Sequence, residues 1–265
     1  MTEFYLYQTL HLCHGRVRLL DRHVGVLDRC ARELFDRPYA PDLRRLERQV
    51  LDFAVLHGYP DDLSAFVRLE LTSEGEVRLI PLGVSYYEGY ALRSVQPDGI
   101  GIRYEPPLNG YPTQAREAAV ATARRMAECA GGRVAVQCGT DGMCRTIEGA
   151  PMAAVQGYTV WLAPESVPYE IPASRFELRL EGAPVRGHRF VAPRSVEYGL
   201  LVAAVEAAGL TLCEEPFDMD FLAGADEVFW LDYRGITALA HCDGRPLMSI
   251  IAERIAVALE GIFKG

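Results

Sequence analysis

Gly224-Ala225-Asp226-Glu227-Val228-Phe229 is the stretch on which the reading of the fold turns. Phe221-Leu222-Ala223 leads into it, and it opens an apolar strand, Glu227–Asp232, which Gly235–His241 follows as its partner. Downstream, Leu247 to Phe263 reads as an amphipathic closing helix. Upstream come a helix over Ser195–Ala208 and a strand over Leu210–Glu214. Further strands are expected at Arg133–Cys138, Cys144–Ile147, Met152–Val155, Thr159–Leu162 and Phe176–Leu180, with loop from Pro164 to Pro172. This half opens on an alanine-rich helix, Thr113–Ala130, ended by Gly131-Gly132.

The first half starts with a hairpin, Phe4–Leu12 and Val17–Leu20, turning at His14-Gly15-Arg16. Asp21 is expected to cap a helix running to Phe35, with Val24, Leu27, Cys30, Ala31 and Leu34 at helical spacing. A second helix spans Asp42 to Leu56. Ala65–Thr72 and Val77–Val84 pair about Ser73-Glu74-Gly75, and shorter strands lie at Tyr90–Val95 and Gly101–Tyr104. The prolines and glycine between Glu105 and Pro112 break helix and strand alike. The expected organisation is therefore an α/β (α+β) fold of two lobes: residues 1–105, a linker at 106–112, and residues 113–265.

Composition narrows the function classes. A net charge of −9 without a basic cluster argues against nucleic acid and anionic membrane as partners. No apolar run reaches the length of a membrane span, and Met1-Thr2-Glu3-Phe4 lacks a signal peptide's basic head. The seven cysteines are odd in number and irregularly spaced, which fits reduced thiols and a cytoplasmic location. No zinc-ligand spacing, nucleophile elbow or phosphate-binding glycine loop occurs, and Gly99-Ile100-Gly101 lacks the rest of a dinucleotide fingerprint. Of the 27 basic residues, Lys264 is the single lysine.

Several segments, taken in order, resemble the class IV aminotransferase family, which includes the branched-chain and D-amino-acid aminotransferases and the aminodeoxychorismate lyases. They are Gln8-Thr9-Leu10 through His23 and Leu27, then Phe66-Val67-Arg68-Leu69, then Arg145-Thr146-Ile147-Glu148-Gly149. The last block runs through Gly209–Glu214, Phe221–Phe229 and Ala238–Gly244. The resemblance implies a two-lobed fold of the D-amino-acid aminotransferase-like type, a homodimer, and pyridoxal phosphate held as a Schiff base on a lysine. It also implies that Glu148 is the carboxylate facing the pyridine nitrogen. The lysine would lie roughly 30 residues before Glu148, between Tyr111 and Ala118, where this chain offers Arg116. Arginine stays protonated and forms no imine. Val26 stands where the family carries a phosphate-binding arginine, and Ala153 where it carries an asparagine. Ala192-Pro193-Arg194-Ser195-Val196-Glu197 replaces the family's phosphate loop, with a glutamate that would repel a phosphate. Tyr233 falls where a second phosphate-binding hydroxyl is expected.

No covalently bound cofactor is expected, and pyridoxal phosphate enters by resemblance alone. The ligand-binding candidates are Arg68, Arg116, Arg194, Ser195 and Tyr233, with Glu148 as the cofactor candidate. Each has a plainer structural reading. Glu148 could face solvent from a strand, Arg68 could sit on a solvated sheet face, and Arg116 could be a surface helix residue. The sharper reading of Arg116 is a fixed cation in the lysine's space, offered to a carboxylate. Arg186-Gly187-His188-Arg189 with Arg194 forms a local basic group. Tyr86, Tyr87, Tyr90 and Tyr104 are candidates to line the cleft between lobes. Three functions remain open: a degenerate relative with a small-molecule, possibly anionic pocket; an enzyme holding pyridoxal phosphate without an imine; and a structural or regulatory dimer subunit.

Overall fold

Alternation lays down the first sheet. In strand β1 (Tyr5–Cys13) Leu6, Gln8 and Leu10 are buried while the residues between them are partly open. β1 pairs antiparallel with the short β2 (Arg16–Val17) and along its length with β3 (Ser64–Thr72), from Tyr5 opposite Thr72 to Leu12 opposite Ala65. β4 (Val77–Ser85) closes the order β2-β1-β3-β4. Helices α1 (Leu20–Phe35) and α2 (Leu43–Leu56) belong to the same half. Leu27, Cys30 and Ala31 of α1 and Leu46 and Val50 of α2 are buried in its core. The computed structural model describes residues 4–106, 108–166, 168–171 and 188–264.

Asp21 does not cap α1. The helix starts at Leu20, its N-cap is Leu19 in the left-handed region (φ 53°), and Asp21 sits inside the first turn. The hairpin runs so directly into the helix that a strained residue replaces a capping side chain. Asp21 still faces the positive end of the helix dipole.

The second sheet has eleven strands. Its main path is β17 (Arg245–Pro246), β16 (His241–Cys242), β6 (Asp98–Arg103), β7 (Val134–Cys138), β8 (Cys144–Ile147), β9 (Ala150–Gln156), β14 (Glu227–Asp232), β15 (Gly235–Ala238) and β5 (Ala91–Leu92). β10 (Thr159–Leu162) branches from β9, and β13 (Thr211–Cys213) pairs with β10. β6 and β7 are parallel, joined by helix α3 (Gln114–Cys129), the crossover that parallel neighbours require. Helices α4 (Val196–Ala207) and α6 (Ile250–Gly261) pack against each other, and α5 (Met219–Leu222) is one turn.

β5 and β6 precede the proline-rich linker, yet they pair within the second sheet. By sheet membership the chain divides between Ser85 and Ala91, earlier than the expected linker at 106–112. Chain breakers mark where regular structure stops; they do not say which sheet a strand joins. Residues 169–171, read as loop, pair as β11 (Tyr169–Ile171) with β12 (His188–Phe190). The strand expected at Phe176–Leu180 lies outside the described residues, as do Arg186 and Gly187.

The halves share one core. A single buried cluster contains Leu6, Leu27 and Val67 of the first half with Leu201, Leu231 and Leu259 of the second. A polar tie reinforces it: Arg18 donates to Glu260 of α6 at 2.6 Å, and Glu260 also accepts from the Tyr90 amide. Phe263 stacks on Tyr90 with ring centroids 5.6 Å apart, and Arg18 lies 4.4 Å from the Phe263 ring centre.

Candidate functional site

A cleft of about 360 Å³ opens where the elements of the two halves meet. β1 contributes Tyr7 and Thr9, β3 contributes Arg68, and α3 contributes Arg116, Glu117, Val120 and Arg124. The i, i+4, i+8 spacing of Arg116, Val120 and Arg124 puts all three on one helix face. Glu148-Gly149, the first turn of α4 and the turn after β14 complete the lining.

Glu148 is not on a strand. It forms a two-residue hairpin with Gly149 between β8 and β9, with φ 54° and 73° at the two positions and Ile147 paired to Ala150. Both central residues have positive φ, as a type I′ turn needs. The turn tip rests on α3, where a Cβ on Gly149 would lie 2.8 Å from the Val120 side chain. Arg124 donates to Glu148 Oε2, its Nε at 2.7 Å, whereas Glu148 Oε1 is buried without a partner among the described residues.

Arg116 is buried at 9% exposure instead of on the surface. Its guanidinium donates to the carbonyls of Gly149 and Gly110, the latter at 3.3 Å. Among the described residues it makes no carboxylate ion pair. Its guanidinium is held between the hairpin tip and the linker.

Two more lining guanidiniums are matched to carboxylates. Arg68 pairs with Glu117, lies 3.7 Å from Glu70, and places its guanidinium 4.5 Å from the Tyr7 ring centre. Its side chain is mostly buried, so it is no solvated sheet face. Arg234 pairs with Asp232 at 2.5 Å. The cleft thus holds four guanidiniums and four carboxylates, the fourth carboxylate being Glu197 in the first turn of α4. Burial pushes the Glu197 carboxyl up to about 7, with Glu165 and Asp232 adding to the rise and Arg116 opposing it.

Ser195 lines the cleft, but its hydroxyl caps α4 by accepting from the Tyr198 amide at 3.0 Å. Tyr233 lines it too, edge-on to Phe66 with centroids 5.0 Å apart. Arg194 does not join them. It is exposed, pairs with Glu214 at 2.9 Å and covers the Tyr198 ring. None of the four tyrosines expected at the cleft lines it: Tyr86 and Tyr87 are exposed and Tyr90 is core. Val26 is buried in the α1 core and presents nothing to the cleft. Lys264 is exposed at the far end of α6 and is absent from the lining. Sequence reading passed over Tyr7, Glu117, Arg124 and Arg234. For Arg124 the helical spacing from Arg116 was the available signal.

No protein-family model and no curated protein matches the sequence. Solved structures do. A branched-chain aminotransferase from the archaeon Thermoproteus uzoniensis, crystallised with norvaline, superposes with a TM-score of 0.72 at 16% identity, covering 98% of this chain and 85% of that one. A putative 4-amino-4-deoxychorismate lyase from Legionella pneumophila gives 0.70 at 13% identity, covering 97% and 90%. A hypothetical aminotransferase from Mycobacterium tuberculosis, with alpha-ketoglutarate and PMP bound, gives 0.69 at 18% identity, covering 97% and 88%. The chain has the class IV aminotransferase fold. At these identities the likeness establishes architecture only. Among the described residues no helix is long and apolar enough to cross a membrane, and no three His, Cys, Asp or Glu side chains gather as a metal site.

Proposed function

We propose that this protein is a degenerate member of the class IV aminotransferase fold that binds a small carboxylate non-covalently in the cleft, without an imine-held coenzyme. The observation that carries this reading is Arg116. It projects from the start of α3 onto the Glu148-Gly149 hairpin, a buried guanidinium whose hydrogen bonds among the described residues go only to carbonyls. A ligand carboxylate would complete its charge pairing with planar, bidentate geometry.

The residues present do not fit pyridoxal phosphate bound in the manner of that fold. The amine is missing, since the chain's one lysine is Lys264. A phosphate at the start of α4 would meet Glu197, and the Ser195 hydroxyl there is already engaged by the Tyr198 amide. Glu148, the residue for a pyridinium nitrogen, is ion-paired with Arg124 through one oxygen. A second reading, coenzyme held without an imine, draws on the other oxygen: Glu148 Oε1 is buried and unpartnered among the described residues, and suits a ligand donor.

Self-association as a homodimer is supported by β4, an edge strand that leaves Val77, Ile80, Leu82 and Val84 exposed. A cytoplasmic location is supported by seven free cysteines.

Thermal unfolding in the presence of keto acids, amino acids and pyridoxal phosphate tests the proposal. The expected result is a rise in Tm with at least one small carboxylate, abolished in Arg116→Ala. A coloured protein whose visible band is trapped on Lys264 by borohydride would overturn it. Stabilisation by pyridoxal phosphate with nothing trapped would favour the second reading. No stabilisation by any of the compounds would favour a structural subunit.

A further inference from the structure

Cys138 ends β7 and Cys144 begins β8, and the two are register partners across the antiparallel pair. Their sulfurs lie 3.9 Å apart. The backbone explains the closeness. The Cys144 amide donates away from β7, to Phe217, and the Cys138 carbonyl accepts from Tyr104 on the opposite side. The next pair, Gly139 and Met143, exchanges a bond at 2.8 Å. Cys138 and Cys144 are therefore a non-hydrogen-bonded pair, the position at which cross-strand side chains approach most closely. A disulfide needs its sulfurs at about 2 Å and its Cα atoms about 4.4–6.8 Å apart, a range such pairs occupy.

The pair lies just beneath the surface, with Cys138 at 3% exposure. Cys138 is among the residues lining a surface recess of about 330 Å³ that shares no residue with the cleft, together with Arg103, Asp218 and Met219. Cys144 sits behind it, fully buried against the Met219 sulfur at 3.8 Å. Among the described residues, the other free cysteines have no thiol placed this way.

We infer that Cys138 and Cys144 form a redox-active dithiol in which Cys138 meets a peroxide in the recess and Cys144 resolves it as an intrachain disulfide. In the first step the Cys138 thiolate attacks one peroxide oxygen, the O–O bond breaks, and hydroxide leaves to take up a proton as water. In the second, the Cys144 sulfur attacks the resulting sulfenic acid. The S–O bond breaks, and the departing hydroxide leaves as water with the Cys144 proton. Two thiols and one peroxide give one disulfide and two waters. The hydrogen bond from the Cys144 side, with Arg103 and Arg145 nearby, holds the Cys138 thiol below its ordinary range, while the Cys144 thiol is raised. Cys138, which lines the recess, therefore attacks, and Cys144, behind it, resolves. The product would staple the hairpin whose second strand runs on to Glu148.

Mass spectrometry of the intact wild-type protein tests this, so no variant need fold. The folded protein is treated with hydrogen peroxide, denatured, alkylated and digested with trypsin. Both cysteines then fall in one peptide, Val134–Arg145. The expected result is that peptide two hydrogens lighter and refractory to alkylation, at a peroxide dose comparable to that which modifies exposed Cys129. In Cys144→Ser the same peptide should carry a dimedone adduct on Cys138. Full alkylation of both thiols at that dose, or a link from Cys138 to Cys242, would overturn the inference.

Discussion

Glu197 sets the charge of the cleft. Its carboxyl is raised to about 7 from 4.5 because burial and two other carboxylates disfavour the ionised form. Near neutral pH the group therefore switches between neutral and anionic where a ligand carboxylate would sit. Affinity for a small carboxylate is expected to fall as pH rises through 7, and Glu197→Gln should flatten the dependence; calorimetric titration at pH 6 and pH 8 measures it. Stability carries the opposite pull of two buried histidines. His11 and His23 are pushed down by burial to about 3 and about 4, from 6.5. Between those values and 6.5 the unfolded chain binds more protons, so their contribution is full above 6.5 and is lost as pH falls. Glu197 works the other way, its contribution present below 4.5 and lost as pH rises through 7. Two histidines outweigh one carboxyl, so urea midpoints should drop from pH 6.5 toward pH 5, with a limiting slope of about 1.4 kcal/mol per pH unit. In Glu197→Gln the drop should steepen, because the compensating group is gone. A midpoint that holds level over this range in the wild type would contradict the burial of the two histidines.

The hairpin at Glu148-Gly149 and the helix beneath it shape one wall of the cleft. Gly149 has φ 73°, and a Cβ there would meet Val120 at 2.8 Å. Gly149→Ala is expected to cost roughly 1–3 kcal/mol in urea denaturation and to loosen the Arg116 contact with the Gly149 carbonyl. The sequence announces this element in part. Glu148 and Arg116 are identifiable as candidates from the ordered match to a known fold, and both line the cleft; the stripe Arg116, Val120, Arg124 is identifiable from helical spacing. Their environments are not legible. Arg116 reads as a surface residue until a hairpin some 30 positions away packs over it, and no local period encodes that contact. Glu148 reads as strand because its neighbours are β-formers, whereas Gly149 beside it favours the turn. Arg194 went the other way: it adjoins Ser195 in sequence, but the helix start turns it outward to Glu214.

For the molecule as a whole, α/β architecture follows from composition and alternation, while the partition between sheets does not. Strands β5 and β6 look like a continuation of the first half, and only long-range pairing with β15 and β7 assigns them to the second. The same long-range character governs stability. Arg18 and Glu260 are both largely buried and satisfy each other and the Tyr90 amide. Glu260→Ala leaves a guanidinium and an amide unpaired and is expected to cost about 3 kcal/mol, read as a shift in urea midpoint. Little loss would mean that water replaces the carboxylate. The tie also fixes a sequence of events. A nascent chain delivers Arg18 242 positions, and Tyr90 170 positions, before Glu260. The apolar surface that α6 covers must wait uncovered until that helix emerges, so a ribosome stalled before α6 would hold a sticky, unfinished fold that depends on chaperones.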